Sequence, residues 1–138
     1  MTVVPVVIVA VPSLAGLVAF FVRRPAVLRT CLVASGVTHA ALVASLWVGV
    51  GAGPTRAVLG LGVDALGLLF LSLASIVFLA ASFHVVGELR SGAGVDKRAN
   101  SRFVASLLWF LASMSLVVLS QHLALMWAAV EATTLASA

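Results

Sequence analysis

Residues 103–138 read FVASLLWFLASMSLVVLSQHLALMWAAVEATTLASA, an almost continuous apolar stretch. As a single helix rising ~1.5 Å per residue it would be about 54 Å long, which far exceeds the ~30 Å hydrocarbon core of a bilayer. The polar triplet Ser120-Gln121-His122 is the one place where it can turn. The stretch therefore predicts two membrane helices, about 103–119 and 123–138, that fold back on each other.

The composition of the whole chain is that of a membrane protein. Of its 138 residues, 63% are hydrophobic and 9% are charged, and the mean hydropathy is +1.26, whereas soluble domains carry about 25% charged residues. Three further apolar runs, about 3–22, 30–50 and 65–86, are long enough to cross a bilayer. We predict an all-α fold, a polytopic transmembrane bundle of about five helices that forms a single transmembrane domain.

The basic residues indicate how the helices are oriented. Seven of the eight lie in the first-to-second turn and the third-to-fourth connection: Arg23, Arg24, Arg29, Arg90, Lys97, Arg98 and Arg102. The positive-inside rule then places both connections in the cytoplasm and the N-terminus outside, in the inner (plasma) membrane of the cell. We attribute the net charge of +4 to these topology-determining basic residues, which can contact the anionic headgroups of a lipid bilayer. The sequence contains no stripe of basic residues interleaved with aromatic residues, which binding to nucleic acid would need. We therefore predict no nucleic-acid partner.

Glu131 is the acidic residue set inside the fifth apolar run. Eight residues past Leu123, its carboxylate lies ~12 Å into the hydrocarbon layer. An acidic residue at a helix centre costs roughly 2.5–3.5 kcal/mol on insertion scales, so such residues usually face a protein interior or a water path and carry protons or ions. We therefore predict a role in proton transfer for Glu131. The alternative is a carboxylate that a neighbouring helix merely tolerates.

The helical period places Glu131 within a stripe of small residues, which predicts that it faces inward, toward closely packed helices. The stripe comprises Ala124, Ala128, Glu131, Thr134 and Ala138. Thr133 and Thr134 can hydrogen-bond the carboxyl group or a water, although threonines more often bond carbonyls of their own helix.

Histidine supplies the other candidate groups. His39 lies midway along the second helix with Thr38 beside it, and imidazole titrates near neutral pH, so it is a candidate for proton transfer. The alternative is a neutral histidine satisfied by one interhelical hydrogen bond. His84 and Glu88 are four residues apart and can touch, but two ligands make no metal site.

From the remaining polar residues we predict neither a cofactor or metal site nor a catalytic redox site in this chain. Cys31 is the single cysteine, which excludes an intrachain disulfide and a multi-cysteine metal or cluster site and favours a packing role. His122 is expected at the outer interface, solvated or as a proton exit group. Asp64 is well placed to cap the third helix, and Ser120 to cap the fifth. Pro12 interrupts the first helix, where Ser13, a neighbouring helix or water can compensate for the lost donor.

Two segments carry a family resemblance. Leu61-Gly-Val-Asp64-Ala-Leu-Gly-Leu-Leu-Phe-Leu and Leu125-Met-Trp-Ala-Ala-Val-Glu131-Ala-Thr-Thr-Leu-Ala-Ser137 resemble the amino-terminal third of the antiporter-like proton-translocating membrane subunits. That family serves respiratory complex I, multi-subunit cation/proton antiporters and energy-converting hydrogenases. The Glu-Ala-Thr-Thr-Leu form is most similar to the hydrogenase-4 type of these subunits.

The resemblance implies that Glu131 works with a lysine on a later broken helix to move protons. The only lysine here, Lys97, lies in a loop. The fifth run spans 16 residues, or ~24 Å of helix, so we expect the chain to be the N-terminal part of a larger bundle.

Three functions remain open at this point. The favoured one is a membrane subunit, or a fragment of one, of a hydrogenase-like or complex-I-like oxidoreductase, partnered by the other membrane subunits of that complex. The second is a component of a multi-subunit cation/proton antiporter. The third is a non-conducting structural membrane subunit or a truncated remnant.

Overall fold

The computed structural model describes residues 3–50, 60–91 and 96–138. These residues form five α-helices and no strand of a sheet. The helices are α1 (Val4–Phe21), α2 (Pro25–Val50), α3 (Ala65–Ser91), α4 (Lys97–Leu119) and α5 (Leu123–Ser137). The first four are long and apolar enough to cross a membrane, and α5 is shorter. The all-α, multi-pass membrane bundle predicted from hydropathy is therefore confirmed.

Three helix boundaries differ from those predicted, and each helix extends further into polar sequence. α2 begins at Pro25 rather than near residue 30; proline suits this position because its missing N–H would be unpaired in the first turn anyway. α3 continues to Ser91, and α4 begins at Lys97, where the carboxylate of Asp96 accepts the backbone N–H of Arg98 at 2.8 Å. Hydropathy marks the edge of the apolar segment, whereas the helix ends where its capping bonds are made.

Residues 51–56, where the glycine- and proline-containing sequence after the second apolar run predicts a break, lie outside the described residues, as do Gly92 and Gly94 of the third-to-fourth connection. Throughout, the end of the bundle where α1 and α3 finish and α2 and α4 begin is called the charged end, because Arg23, Arg24, Arg90 and Lys97 lie there.

α1 and α4 form the closest helix pair. Gly16 of α1 lies under the indole of Trp109, so that a Cβ atom added there would be 2.6 Å from the indole nitrogen. Trp109 donates that N–H to the carbonyl of Ser13 at 3.2 Å. Near the charged end, the buried hydroxyl of Ser101 donates to the carbonyls of Ala19 and Phe20, at 2.5 and 3.1 Å. Both carbonyls belong to the last turn of α1, where no following helical N–H group is available to bond them.

The opposite end of the bundle is closed by two chain segments. The N–H of Gly62 donates to the carbonyl of Leu119 at 2.8 Å, and the N–H of Gln121 donates to the carbonyl of Gly60 at 2.7 Å. Gly60 has φ +76°, a left-handed conformation that glycine adopts without steric cost. The turn at Ser120-Gln121-His122 is thereby confirmed.

Of the two predicted caps, one is confirmed. Asp64 accepts the backbone N–H of Gly67 at 2.8 Å and so caps α3. The prediction for Ser120 is wrong: α5 begins after His122, and the Ser120 hydroxyl donates instead to the carbonyl of His122 at 3.0 Å. An extended backbone from Ser120 to His122 points the serine at a carbonyl rather than at the first amides of α5. Pro12 lies inside α1 as predicted, and the hydroxyl of Ser13 bonds the carbonyl of Val9 at 2.7 Å.

The buried side chains form two apolar clusters. The cluster toward the charged end includes Leu28, Leu32, Phe78 and Leu108, with Leu111 at its inner edge. The second lies toward the other end and combines residues of α1 to α4 with two residues of the segment before α3: Ile8, Val43, Leu46, Leu61, Val63, Leu68, Leu71 and Leu119. Buried polar side chains lie between the two clusters on α2, α3 and α4, among them His39, Ser75 and Ser115.

Candidate proton-transfer site

His39, Ser75 and Ser115 meet at the centre of the bundle, and they are called the histidine–serine triad below. Nδ1 of His39 lies 2.8 Å from Oγ of Ser75 on α3, and Nε2 lies 2.8 Å from Oγ of Ser115 on α4. The exposed fractions of the three residues are 1%, 4% and 0%. One imidazole thus joins three helices at membrane depth.

The local sequence explains why the helices approach closely here. Gly36 lies one turn from His39 on α2, and a Cβ atom added to it would be 2.8 Å from the side chain of Leu79 on α3. The missing side chain lets α3 pack against α2 at this level. Each serine also bonds its own helix, since Oγ of Ser75 lies 2.8 Å from the carbonyl of Leu71 and Oγ of Ser115 lies 2.8 Å from that of Leu111.

Glu131 lies on the exposed side of α5. Of the described helices, α5 packs only against α4. Ala129 is the one buried residue of α5, at 1% exposure, and it lies on the face opposite to Glu131. Among the described residues, the Glu131 carboxylate has no hydrogen-bond or ion-pair partner.

The predicted inward orientation of the small-residue stripe is not found within this bundle. Every member of that stripe is exposed: Ala124, Ala128, Glu131, Thr134 and Ala138. α5 contacts α4 through the other side of the helix, because small residues allow close approach there as well. Small size alone does not identify the contact face when two sides of a helix carry alanines. Thr133 bonds the carbonyl of Ala129 at 2.9 Å, and Thr134 bonds that of Glu131 at 2.7 Å, so both threonines satisfy their own helix.

The two predicted proton-transfer residues are therefore not brought together. His39 faces α3 and α4, whereas Glu131 faces away from all four other helices, and α2 and α5 make no contact. The described helices thus place the two candidates at separate positions, His39 buried among them and Glu131 open.

The other candidate groups occupy surface positions. Nε2 of His84 lies 3.6 Å from Oε1 of Glu88, and their side chains are 78% and 64% exposed, as expected for a pair one helical turn apart at an interface. His122 is exposed beside Gly60, at the end of the bundle opposite to the charged end. Cys31 is half-buried and unbridged. Among the described residues, no three histidine, cysteine or acidic side chains are grouped as a metal site requires.

Sequence reasoning missed the two serine partners of His39, Ser75 and Ser115. It also missed a further buried serine, Ser82 on α3, which is 1% exposed. The signal that could have revealed them is spacing: Ser75 and Ser82 are seven residues apart, which is two helical turns on one face. Buried serines in apolar helices often bond their own carbonyls, so their presence in the sequence gives no direction by itself.

No protein-family model, curated protein or solved structure matches this chain.

Proposed function

We propose that this chain is a multi-pass membrane subunit that contributes Glu131 to proton translocation within a hydrogenase-like or complex-I-like oxidoreductase. The observation that carries the proposal is the position of Glu131: it is a single carboxylate in the middle of an apolar helix, and it is exposed on the side that no described helix covers.

The surroundings of Glu131 explain why this exposure indicates a function. Trp127, Val130 and Leu135 are 68%, 46% and 77% exposed, so the open surface around the carboxylate is apolar and suited to lipid or to another helix. A charged carboxylate facing lipid is costly, and a proton, an ion or a membrane-embedded partner removes that cost. A carboxyl group that takes up and releases a proton against a neighbouring helix meets this condition.

The family resemblance supports the same partner chemistry. It implies a lysine on a broken helix as the group that pairs with Glu131, and this chain supplies no lysine at membrane depth because Lys97 lies at the charged end. The proposed partners are accordingly other membrane helices of a respiratory or hydrogenase complex. The carboxyl group of Glu131 would release its proton when the lysine is near and take one up again when the two separate.

Two other functions use the same open face differently. In a cation/proton antiporter component, Glu131 would exchange its proton in response to sodium or another cation. In a structural subunit, it would form a fixed hydrogen bond with a neighbour, and the bonding of Thr133 and Thr134 to their own helix is compatible with such a passive role.

The test of the proposal is proton translocation by the assembled complex in sealed vesicles. Glu131→Gln keeps the shape and hydrogen bonding of the side chain but releases no proton, so we expect translocation per electron to fall at least tenfold while membrane insertion is unchanged. Glu131→Asp should retain part of the activity. Thr134→Val is the matched control, because it alters a neighbouring side chain of the same exposed face and should leave translocation unchanged.

The outcomes separate the three functions. Coupled translocation at the normal level in Glu131→Gln would contradict the proposal and leave the structural role. A loss of cation-driven proton exchange with electron transfer unaffected would select the antiporter component instead.

We also propose the orientation of the bundle: the charged end faces the cytoplasm and the N-terminus faces outward, in the inner (plasma) membrane. Cysteine labelling with a membrane-impermeant reagent tests it in a Cys31→Ala background. Lys97→Cys should react from the cytoplasmic face and Gln121→Cys from the outer face, since both positions are exposed. The reverse pattern would overturn the orientation.

A further inference from the structure

We infer that the histidine–serine triad is a second proton-binding site, which takes up one proton as an imidazolium ion and is supplied by water bound at Ser82. The inference rests on the proposed proton translocation, because a buried proton acceptor contributes to function only if protons cross the membrane in this bundle. It concerns residues that pack entirely within the chain and is therefore testable without the partner helices.

The first support is a count of hydrogen atoms. The triad contains four close polar contacts: each serine oxygen is 2.8 Å from a ring nitrogen and 2.8 Å from a carbonyl. Each contact requires one hydrogen between its two atoms. Two hydroxyl groups and a neutral imidazole supply three hydrogens, whereas two hydroxyl groups and an imidazolium supply four. The geometry therefore has room for one additional proton without any side chain moving.

Burial of the His39 ring disfavours its protonated form. Removing a charged ring from water is costly, and no titratable side chain of the packed helices lies beside His39 to offset that cost. α1 contains none, and those of α3 and α4 lie near the charged end: His84, Glu88, Arg90, Lys97, Arg98 and Arg102. The hydrogen bonds favour the imidazolium and the apolar surroundings disfavour it, so the proton is held transiently, as a relay requires.

The second support is Ser82. Its Oγ is buried and, among the described residues, has no hydrogen-bond partner. Leaving a buried hydroxyl without a partner is costly, and an internal water is the usual way in which proteins avoid that cost. Ser82 lies two turns from Ser75 toward the charged end, on the same face of α3. Ser35, also buried, lies one turn from His39 on α2 in the same direction.

These positions define a route for the proton. Ser75 and Ser82 are ~10 Å apart along the helix axis, with the buried Phe78 between them in sequence. The inference places a short file of hydrogen-bonded waters along this stretch, which opens past the ring of Phe78. A protonated water gives its proton to Oγ of Ser75 as the hydroxyl hydrogen of Ser75 passes to Nδ1. An O–H bond of the water and the original O–H bond of Ser75 break, and a new O–H bond on Ser75 and an N–H bond at Nδ1 form. Release runs through the same atoms in reverse: the Nδ1 hydrogen returns to Oγ of Ser75 as the hydroxyl hydrogen of Ser75 passes back to the water. The ring is left neutral with its hydrogen on Nε2, where it started.

The test is solid-state NMR of the full chain in lipid bilayers, with ¹⁵N-labelled histidine. His84→Asn and His122→Asn, both at exposed positions, leave His39 as the single labelled ring. We expect magnetisation from water to reach the His39 ring nitrogens and Ser82→Ala to slow that transfer at least threefold. Ser113→Ala is the matched control: Ser113 is buried too, but its hydroxyl already bonds the carbonyl of Phe110 at 3.0 Å.

The same samples are then followed at decreasing pH. The inference requires a His39 signal with two ring N–H bonds to appear while the helices remain folded. Absence of water transfer in the parent chain, an unchanged rate in Ser82→Ala, or a ring that stays neutral until the bundle unfolds would each overturn it. These outcomes are independent of proton translocation by Glu131→Gln, so failure of the relay and failure of the proposed function are distinguishable.

Discussion

His39 and Glu131 both lie well inside membrane helices, yet their surroundings are opposite. His39 is 1% exposed, and each ring nitrogen has a serine partner on a different helix. Glu131 lies on an open apolar face, and among the described helices α5 contacts only α4. The bundle thus completes the first polar site with its own residues, whereas its described helices leave the second open. In the proposed complex, His39 holds this bundle together and Glu131 joins it to a neighbouring helix.

The largest effect on stability is expected from His39→Ala. The substitution removes two interhelical hydrogen bonds, worth ~0.6 kcal/mol each on average in membranes, and leaves a cavity at a fully packed position. We expect the free energy of unfolding in detergent to fall by about 2–4 kcal/mol. His84→Ala is the control, and it should change the value by less than ~0.5 kcal/mol, because that side chain is exposed. Equal effects of the two variants would show that the triad does not stabilise the bundle.

Glu131→Leu changes the open site, and we expect it to favour membrane insertion rather than to destabilise the chain. It replaces a carboxylate on an apolar surface by an apolar side chain, which favours membrane insertion of α5 by roughly 3 kcal/mol on insertion scales. A translocon-insertion assay of the α5 segment measures this difference directly. If Glu131→Leu impaired insertion or folding of the isolated chain, Glu131 would have a partner within the bundle and the contrast with His39 would disappear.

A smaller effect separates the packed interior from the open helix faces. The Cβ atom introduced by Gly16→Ala would lie 2.6 Å from the ring of Trp109, so we expect a loss of about 1–3 kcal/mol from overpacking. Gly87→Ala is the matched variant, because nothing lies within 4 Å of its Cβ position, and alanine favours a helix by up to ~1 kcal/mol over glycine. Thermal unfolding of both variants in detergent tests the pair. Similar shifts would mean that α1 and α4 are not closely packed.

The fold follows from the sequence to a large extent, because a bilayer imposes a length on every helix. The ~54 Å that residues 103–138 would span requires a turn, and the turn occurs at Ser120-Gln121-His122 as predicted. The helix starts at Pro25 and Lys97 were missed, since hydropathy falls at the membrane surface whereas the helices continue into the polar residues beyond it.

The candidate site was less accessible to sequence reasoning. His39 could be selected because an ionisable residue in an apolar helix is unusual, but Ser75 and Ser115 lie 36 and 76 residues away and resemble any other serine in a membrane helix. Their role depends on how α2, α3 and α4 are rotated against one another, and hydropathy contains no information on rotation. The face through which α5 contacts α4 could not be predicted for the same reason, since alanines lie on both sides of that helix.

The most direct test of the central contrast is site-specific photocrosslinking from Ala128, which is exposed one turn before Glu131 on the same face of α5. A photoreactive residue at this position is compared in the native membrane and in vesicles that contain this chain alone. We expect crosslinks to a peptide from another membrane-spanning segment in the native membrane and crosslinks to lipid in the vesicles. Crosslinks to lipid alone in both settings would contradict the proposal that a neighbouring helix packs against Glu131.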